Sequence, residues 1–165
     1  MKQLSTYIKE KLIINKDYRD TKIVVKSFDE LRKIIIDRYD KLGPGTKRNP
    51  IDFNDIDVSN IDSFRNKNTG IFEDTNFKYI DISDWDVSNV KSMHNMFAYC
   101  EELRSVGDIS NWDVSSLKDM WFMFYGCKYF NQDISSWNVS KVRYGYTYNI
   151  FSYCPINRKY KPKFK

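Results

Sequence analysis

The sequence predicts an α/β fold in which about four repeats of roughly 25 residues stack into a short solenoid behind an N-terminal strand–helix cap. Three observations support this prediction. A ten-residue block recurs along the chain, a second block follows each copy, and the segment before the first copy carries signals for a helix start and a helix stop. A unit of this size cannot bury its apolar face alone, so neighbouring units must cover one another.

The first block reads Asp-Ile-Ser-Asp-Trp-Asp-Val-Ser-Asn-Val at residues 81–90. The four copies begin at Asp52, Asp81, Asp108 and Asp133, which are 29, 27 and 25 residues apart. We call the units that begin there repeats 1 to 4. The second block ends in Met-Phe-x-x-Cys in repeats 2 and 3 and in Ile-Phe-Ser-Tyr-Cys in repeat 4.

The spacing of apolar residues within a repeat predicts a helix that Ser88 caps, followed by a short extended segment. The apolar side chains of repeat 2 recur at i, i+3, i+6, i+7 and i+10, and they are Val90, Met93, Met96, Phe97 and Cys100. Equivalent positions should form buried columns that act as a structural ladder. The predicted ladder residues are Phe97, Phe124, Phe151, Cys100, Cys127 and Cys154.

The segment before the repeats predicts a strand at residues 22–25 and a helix after it. Ser27 and Glu30 form a capping box, and Gly43 with Pro44 ends the helix. We therefore divide the chain into an amphipathic leader (1–20), a cap (21–50), the repeats (51–155) and a basic tail (156–165).

Together with Phe-Asn-Gln-Asp-Ile-Ser at residues 130–135, the two blocks resemble the BspA-like leucine-rich repeat of bacterial and mycoplasmal surface proteins, which phages also encode. The resemblance covers residues 51–155. It implies a leucine-rich-repeat-like solenoid and a surface or interaction protein without a shared active site. We expect no signal peptide and no membrane span, because the start is charged and no apolar run approaches the roughly 20 residues that a span needs. A bacterial surface adhesin is therefore the alternative interpretation.

Charge is segregated along the chain. Residues 1–50 carry 13 Lys/Arg and 7 Asp/Glu, residues 51–155 carry 9 and 15, and residues 156–165 carry five basic residues and no acid. A uniformly basic nucleic-acid binder would look different. We predict that the tail docks on an acidic protein surface through Arg158, Lys159, Lys161 and Lys163.

A weaker alternative for the same region is single-stranded nucleic acid. Tyr144, Tyr146 and Tyr148 alternate along the sequence, which would place three phenols on one face of an extended segment. Such binding would be weak and non-specific.

The leader carries a second predicted partner-binding stripe. Leu4, Ile8 and Leu12 stand at i, i+4 and i+8 among lysines, and residues 1–12 resemble the leaders of tailed-phage proteins. The resemblance implies a virion-associated or head-packaged protein, located in the virion or the host cytoplasm, whose partner is a virion or capsid component. The alternatives are a short helix that packs on the cap, and a location at the cell surface.

The composition predicts neither an enzyme nor a cofactor or metal site. One histidine and three cysteines offer no partner pattern for nucleophilic catalysis and too few ligands for a metal. The repeated aspartates are best explained as turn residues, with calcium binding and acid–base catalysis as alternatives. Trp85, Trp112 and Trp137 are interpreted as packing residues, with carbohydrate stacking as the alternative. The predicted function is a non-enzymatic protein–protein interaction or structural module.

Overall fold

The structure is a computed structural model that describes residues 22–164. Its elements are β1 (Ile23–Val24), α1 (Phe28–Leu42), β2 (Ile51–Asp52), β3 (Ile56–Asp57), β4 (Ile80–Asp81) and the 3-10 helices Tyr144–Tyr146 and Arg158–Tyr160. The strands form two short parallel sheets, in which β1 pairs with β3 and β2 pairs with β4. The helix α1 lies between β1 and β2 in sequence, and the two 3-10 helices lie near the end of the chain.

Helix α1 begins and ends as predicted. The Ser27 hydroxyl accepts the N–H of Glu30 at 3.2 Å, and the Glu30 carboxylate accepts the N–H of Lys26 at 2.7 Å. Gly43 ends the helix with a φ of 73°, a conformation that glycine adopts without a steric penalty. These local signals were sufficient because each one acts within a few residues of the helix end.

Arginines of α1 fasten the helix to repeat 1. Arg38 donates to both carboxylate oxygens of Asp55 at 2.7 and 2.6 Å, and to the carbonyl of Asp52 at 2.6 Å. Leu31 and Ile35 are fully buried beneath the helix. The helix is therefore held by both apolar burial and a two-pronged ion pair.

The prediction of an α/β leucine-rich-repeat-like solenoid of four repeats is wrong. In the described part of the chain, α1 is the only α-helix, and the regular sheet consists of two-residue strands. The segments after the first block are successions of turns, not helices. Asn95 and Tyr99 have φ values of 57° and 58°, which interrupt a right-handed helix within about one turn of each other.

The backbone N–H groups of these turns have partners that a helix would not supply. Some donate to the carbonyl three residues earlier, as Met96 does to Met93 at 3.1 Å. The alternate N–H groups donate to the equivalent turn of the next repeat, 26 residues further along the chain. Those of Asn95, Phe97 and Tyr99 donate to the carbonyls of Trp121, Met123 and Tyr125 at 3.0, 2.9 and 2.7 Å. We call the turn segments 71–74, 93–99, 120–126 and 148–153 the turn ladder.

Phenylalanine rings fill the inside of the turn ladder. The rings of Phe72 and Phe97 stack with centroids 5.3 Å apart, those of Phe97 and Phe124 at 5.3 Å, and those of Phe124 and Phe151 at 5.8 Å. Phe97 and Phe124 have no exposed surface, and Phe151 is partly buried. The predicted ladder phenylalanines therefore lie in one column, although no helix places them there.

The tryptophans of the first block are buried, so their rings are not accessible for the carbohydrate stacking that was the alternative interpretation. The indole N–H of Trp85 donates to the carbonyl of Phe53 at 2.9 Å, and that of Trp137 donates to Ile109 at 2.8 Å. The indole N–H of Trp112 has no hydrogen-bond partner among the described residues. All three indoles pack into the core.

Candidate functional site: an exposed aromatic face

The turn ladder directs one set of aromatic rings outward while it buries another. Tyr99, Trp121 and Tyr153 expose 51%, 37% and 75% of their surface. Phe97 and Phe124, their neighbours in sequence, face the core. Because the turns alternate inward and outward positions, the outward rings of successive repeats come to lie beside one another.

These outward rings form a continuous surface. The Tyr125 ring meets Tyr99 at 5.2 Å, Tyr153 at 5.3 Å and Phe122 at 5.1 Å between centroids, in edge-to-face geometry each time. Trp121 stacks on Phe122 at 5.2 Å. We call this surface the aromatic face, and its members are His94, Tyr99, Trp121, Phe122, Tyr125 and Tyr153.

His94 lies at the border of the aromatic face, and two charged side chains approach the same nitrogen of its ring. Its ring lies 5.3 Å from Trp121, and its Nδ1 lies 2.9 Å from Arg65 Nη1 and 3.3 Å from Asp119 Oδ2. Arg65 can only donate and Asp119 can only accept. A neutral imidazole with its proton on Nε2 therefore bonds Arg65, while a proton on Nδ1 shifts the bond to Asp119.

Several members of the aromatic face hold an uncommon backbone conformation. Tyr99, Phe122 and Tyr153 have φ values of 58°, 56° and 57°. Gly126, which stands in repeat 3 where Tyr99 and Tyr153 stand in their repeats, has a φ of 74°. A left-handed backbone costs a bulky residue about 1–2 kcal/mol relative to a right-handed one.

The cysteines lie along the core side of the turn ladder as hydrogen-bond donors. The Cys100 thiol donates to the carbonyl of Phe72 at 2.9 Å, and the Cys127 thiol donates to Phe97 at 3.0 Å. Both are buried, whereas Cys154 is partly exposed. Burial raises the pKa of Cys100 to about 11 and also raises the pKa of Cys127 and of Cys154. All three are therefore thiols at neutral pH, and the two buried ones, Cys100 and Cys127, are poor nucleophiles.

We expect thiol reagents to separate the three cysteines. In native protein at pH 8, only Cys154 should react within minutes, because it alone is partly exposed. Cys100 and Cys127 should react only after unfolding in guanidinium. Timed alkylation followed by mass spectrometry of peptides measures this, and Cys154→Ser should remove the fast phase. Native labelling of Cys127 at the rate of Cys154 would contradict the buried position.

The aspartates of the repeats act as turn residues, as predicted. The carboxylates of Asp81, Asp108 and Asp133 accept the N–H of the serine two residues later at 3.1, 3.0 and 2.9 Å. Hydrogen bonds from these serines lower the pKa of Asp108 and Asp133, and equivalent bonds lower the pKa of Asp57 and Asp113. The carboxylates are therefore bound to their own backbone.

These lowered pKa values predict acid sensitivity. A carboxyl whose pKa is lower in the folded chain than in the unfolded chain stabilises the fold above the unfolded value, about 3.9. That stability is lost as the pH falls through the folded pKa. We expect the melting temperature to hold from pH 7 to about pH 5 and to fall below about pH 4.

A matched pair of variants tests the assignment. Asp108→Asn/Asp133→Asn should flatten the acid limb of the melting curve, because asparagine keeps the turn bond without titrating. Asp37→Asn/Asp40→Asn on α1 makes the same charge change outside the repeat turns. Equal flattening by both pairs would show that net charge, not the serine hydrogen bonds, sets the acid response.

The predicted basic-tail residues follow the last segment of the turn ladder in sequence. Arg158, Lys159 and Lys163 are exposed, and Lys161 is partly buried with its Nζ 5.1 Å from the centroid of the Phe151 ring. The tyrosine segment is a 3-10 helix at Tyr144–Tyr146 instead of an extended segment, with exposed rings at Tyr146 and Tyr148. The predicted roles of the tail and of these tyrosines stay predictions.

The leader residues Leu4, Ile8 and Leu12 lie outside the described residues, so the leader stays a prediction. Among residues 22–164, no helix is long and apolar enough to cross a membrane. In the same range, no group of three or more His, Cys, Asp or Glu side chains could hold a metal ion.

Sequence reasoning missed the aromatic face although a signal was present. A tyrosine precedes the cysteine at Tyr99 and Tyr153, and Tyr125 lies two residues before Cys127. The predicted helix would distribute these rings around its axis, so that they would not form one surface. The observed turns place them on one side.

A comparison with protein families finds one match. The profile described as "Mycoplasma protein of unknown function, DUF285" matches residues 45–160. No curated protein and no solved structure matches the chain. The matched range includes β2 to β4, the whole turn ladder and the aromatic face, and it covers well over half of the chain. The chain therefore belongs to the DUF285 family of Mycoplasma proteins of unknown function.

Proposed function

We propose that this protein is a non-enzymatic protein–protein interaction module that binds its partner through the aromatic face. The observation that carries the proposal is a set of exposed, contiguous tyrosine and tryptophan rings, with Tyr99, Trp121 and Tyr153 the most exposed among them. Tyrosine and tryptophan are enriched in protein interfaces and among the residues that dominate their binding energy.

The rings of the aromatic face support this function further because they are already ordered. Tyr125 holds Tyr99, Tyr153 and Phe122 in edge-to-face contacts, and hydrogen bonds of the turn ladder fix the backbone beneath them. An ordered aromatic surface loses little side-chain entropy on binding. A partner can therefore use most of the apolar area that it covers.

Site-specific photocrosslinking tests the proposal. With p-benzoylphenylalanine at position 99 or 153, we expect a discrete protein adduct in cells that express the chain. The same probe at Tyr129, which is exposed and stacks with Arg104 away from the aromatic face, should give none. The adduct at position 99 should disappear in a Trp121→Ala background. Equal adducts at positions 99 and 129, or adducts that survive Trp121→Ala, would refute the proposal.

Single-stranded nucleic acid is a second candidate because of the end of the chain. Residues 141–164 contain six Lys/Arg and no Asp/Glu, and Tyr146 and Tyr148 expose their rings. A specific role predicts sub-micromolar binding of single-stranded DNA at physiological salt and a loss with Tyr146→Ala. Binding that vanishes by about 0.2 M salt without a tyrosine effect would leave only non-specific attraction.

The setting proposed for the protein is a phage virion, with a virion or capsid component as the partner. The support is the leader pattern of residues 1–12 and the likeness of the repeat blocks to BspA-like repeats, which phages also encode. A fusion of residues 1–20 to a fluorescent protein should co-purify with particles from infected cells, and its Leu4→Asp/Ile8→Asp version should not. Absence of both fusions from particles would remove the main support for the virion, and a lower melting temperature on deletion of residues 1–15 would then assign the leader to a structural cap.

A further inference from the structure

The first edge of the turn ladder is closed by a side chain of α1. Phe72 and Asp74 of repeat 1 donate to the carbonyls of Met96 and Ala98 in repeat 2 at 2.9 Å each. The equivalent carbonyls of repeat 1 belong to Ile71 and Glu73, and no earlier repeat exists among the described residues to donate to them. Arg32 does so instead, through Nη1 to Ile71 and through Nη2 to Glu73 at 3.1 Å.

Among residues 22–164, the last edge of the turn ladder has no such closure. In repeat 3, the N–H groups of Phe124 and Gly126 donate to repeat 4 at 2.9 Å each. The equivalent donors of repeat 4 are the N–H groups of Asn149, Phe151 and Tyr153. They donate to no acceptor within residues 22–164. The backbone of the tail that follows pairs elsewhere, since the Tyr160 carbonyl accepts from the N–H of Ile134 at 3.0 Å, while the Lys161 side chain lies over the Phe151 ring.

Three N–H donors without acceptors in the described part of the chain, at alternate residues, form an edge that can pair with another chain. We propose that this edge binds an acidic, extended segment of another protein, whose carbonyls at alternate residues accept from Asn149, Phe151 and Tyr153. Extended peptides join exposed backbone edges in this way, with main-chain bonds for affinity and alternate side chains for specificity.

Charge selects an acidic segment. Residues 141–164 contain six Lys/Arg and no Asp/Glu. The Lys161 ammonium lies 5.1 Å from the centroid of the Phe151 ring, the side chain of the residue that carries the middle donor. Carboxylates on the side of the segment that faces the tail would meet Lys161 and its basic neighbours.

A second copy of this chain does not fit the edge. If two copies met through their last edges, the N–H donors of one copy would face the N–H donors of the other, and neither copy would supply acceptors. Head-to-tail pairing needs the carbonyls of Ile71 and Glu73, which Arg32 already occupies. The inference goes beyond the aromatic face, because the groups that bind are backbone N–H groups and basic side chains.

Amide exchange by NMR on the full-length chain tests the edge. The probe is a capped heptapeptide that alternates glutamate with valine, and its control replaces each glutamate with lysine. At saturating glutamate peptide, exchange at Asn149, Phe151 and Tyr153 should slow by at least about tenfold. The lysine peptide should have no effect. Lys159→Glu/Lys161→Glu should reverse this preference without changing the melting temperature by more than a few degrees.

Three outcomes would overturn the proposal. The edge is not a free site if the three amides are already protected in the protein alone. It does not pair with peptides if the glutamate peptide leaves their exchange unchanged. Protection by a thymidine decamer but not by the peptide would assign the edge to nucleic acid. Tyr99→Ala should leave the protection intact, so failure here and failure of the aromatic face are separate results.

Discussion

Truncation of Phe124 to alanine should lower the free energy of unfolding by about 3–5 kcal/mol, the usual loss when a buried phenylalanine is removed. The Phe124 ring has no exposed surface and lies between those of Phe97, at 5.3 Å, and Phe151, at 5.8 Å. A third ring, Phe130, stacks on it at 4.2 Å. Removal therefore opens a cavity in the middle of the phenylalanine column.

Urea denaturation followed by tryptophan fluorescence measures this loss. Tyr129→Ala removes an exposed aromatic ring from the next turn of the chain and should change the free energy of unfolding by less than about 1 kcal/mol. If both variants unfold at the same urea concentration, the phenylalanine column does not hold the repeats together.

Replacement of Arg32 by methionine should lower the free energy of unfolding by about 2–3 kcal/mol, because two carbonyls lose a charged donor. Methionine keeps the apolar stem, so the change isolates the guanidinium. The guanidinium of Arg32 is partly buried where it reaches Ile71 and Glu73, and this burial lowers its pKa. Lysine lacks the planar guanidinium that reaches both carbonyls at once. The free energy of unfolding of Arg32→Lys should therefore lie between those of the unchanged protein and of Arg32→Met.

Lys33→Met is the matched control, because Lys33 is the exposed neighbour of Arg32 on α1. It should leave the urea midpoint almost unchanged. Hydrogen exchange adds a local readout: the amides of Phe72 and Asp74 should exchange faster in Arg32→Met. Equal midpoints for Arg32→Met and Lys33→Met would show that the first edge needs no closure.

Helix α1 and the aspartate turns could be predicted from the sequence because their causes are local. Ser27 meets Glu30 three residues away, and Asp108 meets the serine two residues away. The repeats misled the prediction because apolar residues at i, i+3 and i+7 are typical of a helix and also of successive turns. The deciding partners lie about 26 residues away, where the N–H of Phe97 meets the carbonyl of Met123.

One residue of the repeats argues against a helix on sequence grounds alone. Gly126 stands where repeats 2 and 4 have Tyr99 and Tyr153, and glycine in the middle of a helix is unfavourable. It marks a position with a positive φ, which all three residues adopt. The aromatic face could not be predicted without this conformation, because the outward direction of the rings depends on it.

At Tyr99 and Tyr153 the left-handed backbone means that the residue best for stability differs from the residue best for binding. Glycine would relieve the strain at either position, as Gly126 does in repeat 3, but each such change would delete a ring from the exposed surface. A screen that selects only for thermostability should therefore enrich Tyr99→Gly and Tyr153→Gly. The selected variants should melt at a higher temperature and lack these rings of the aromatic face. If homologous chains keep aromatic residues at these positions although the backbone favours glycine, that pattern would indicate selection for binding to the partner.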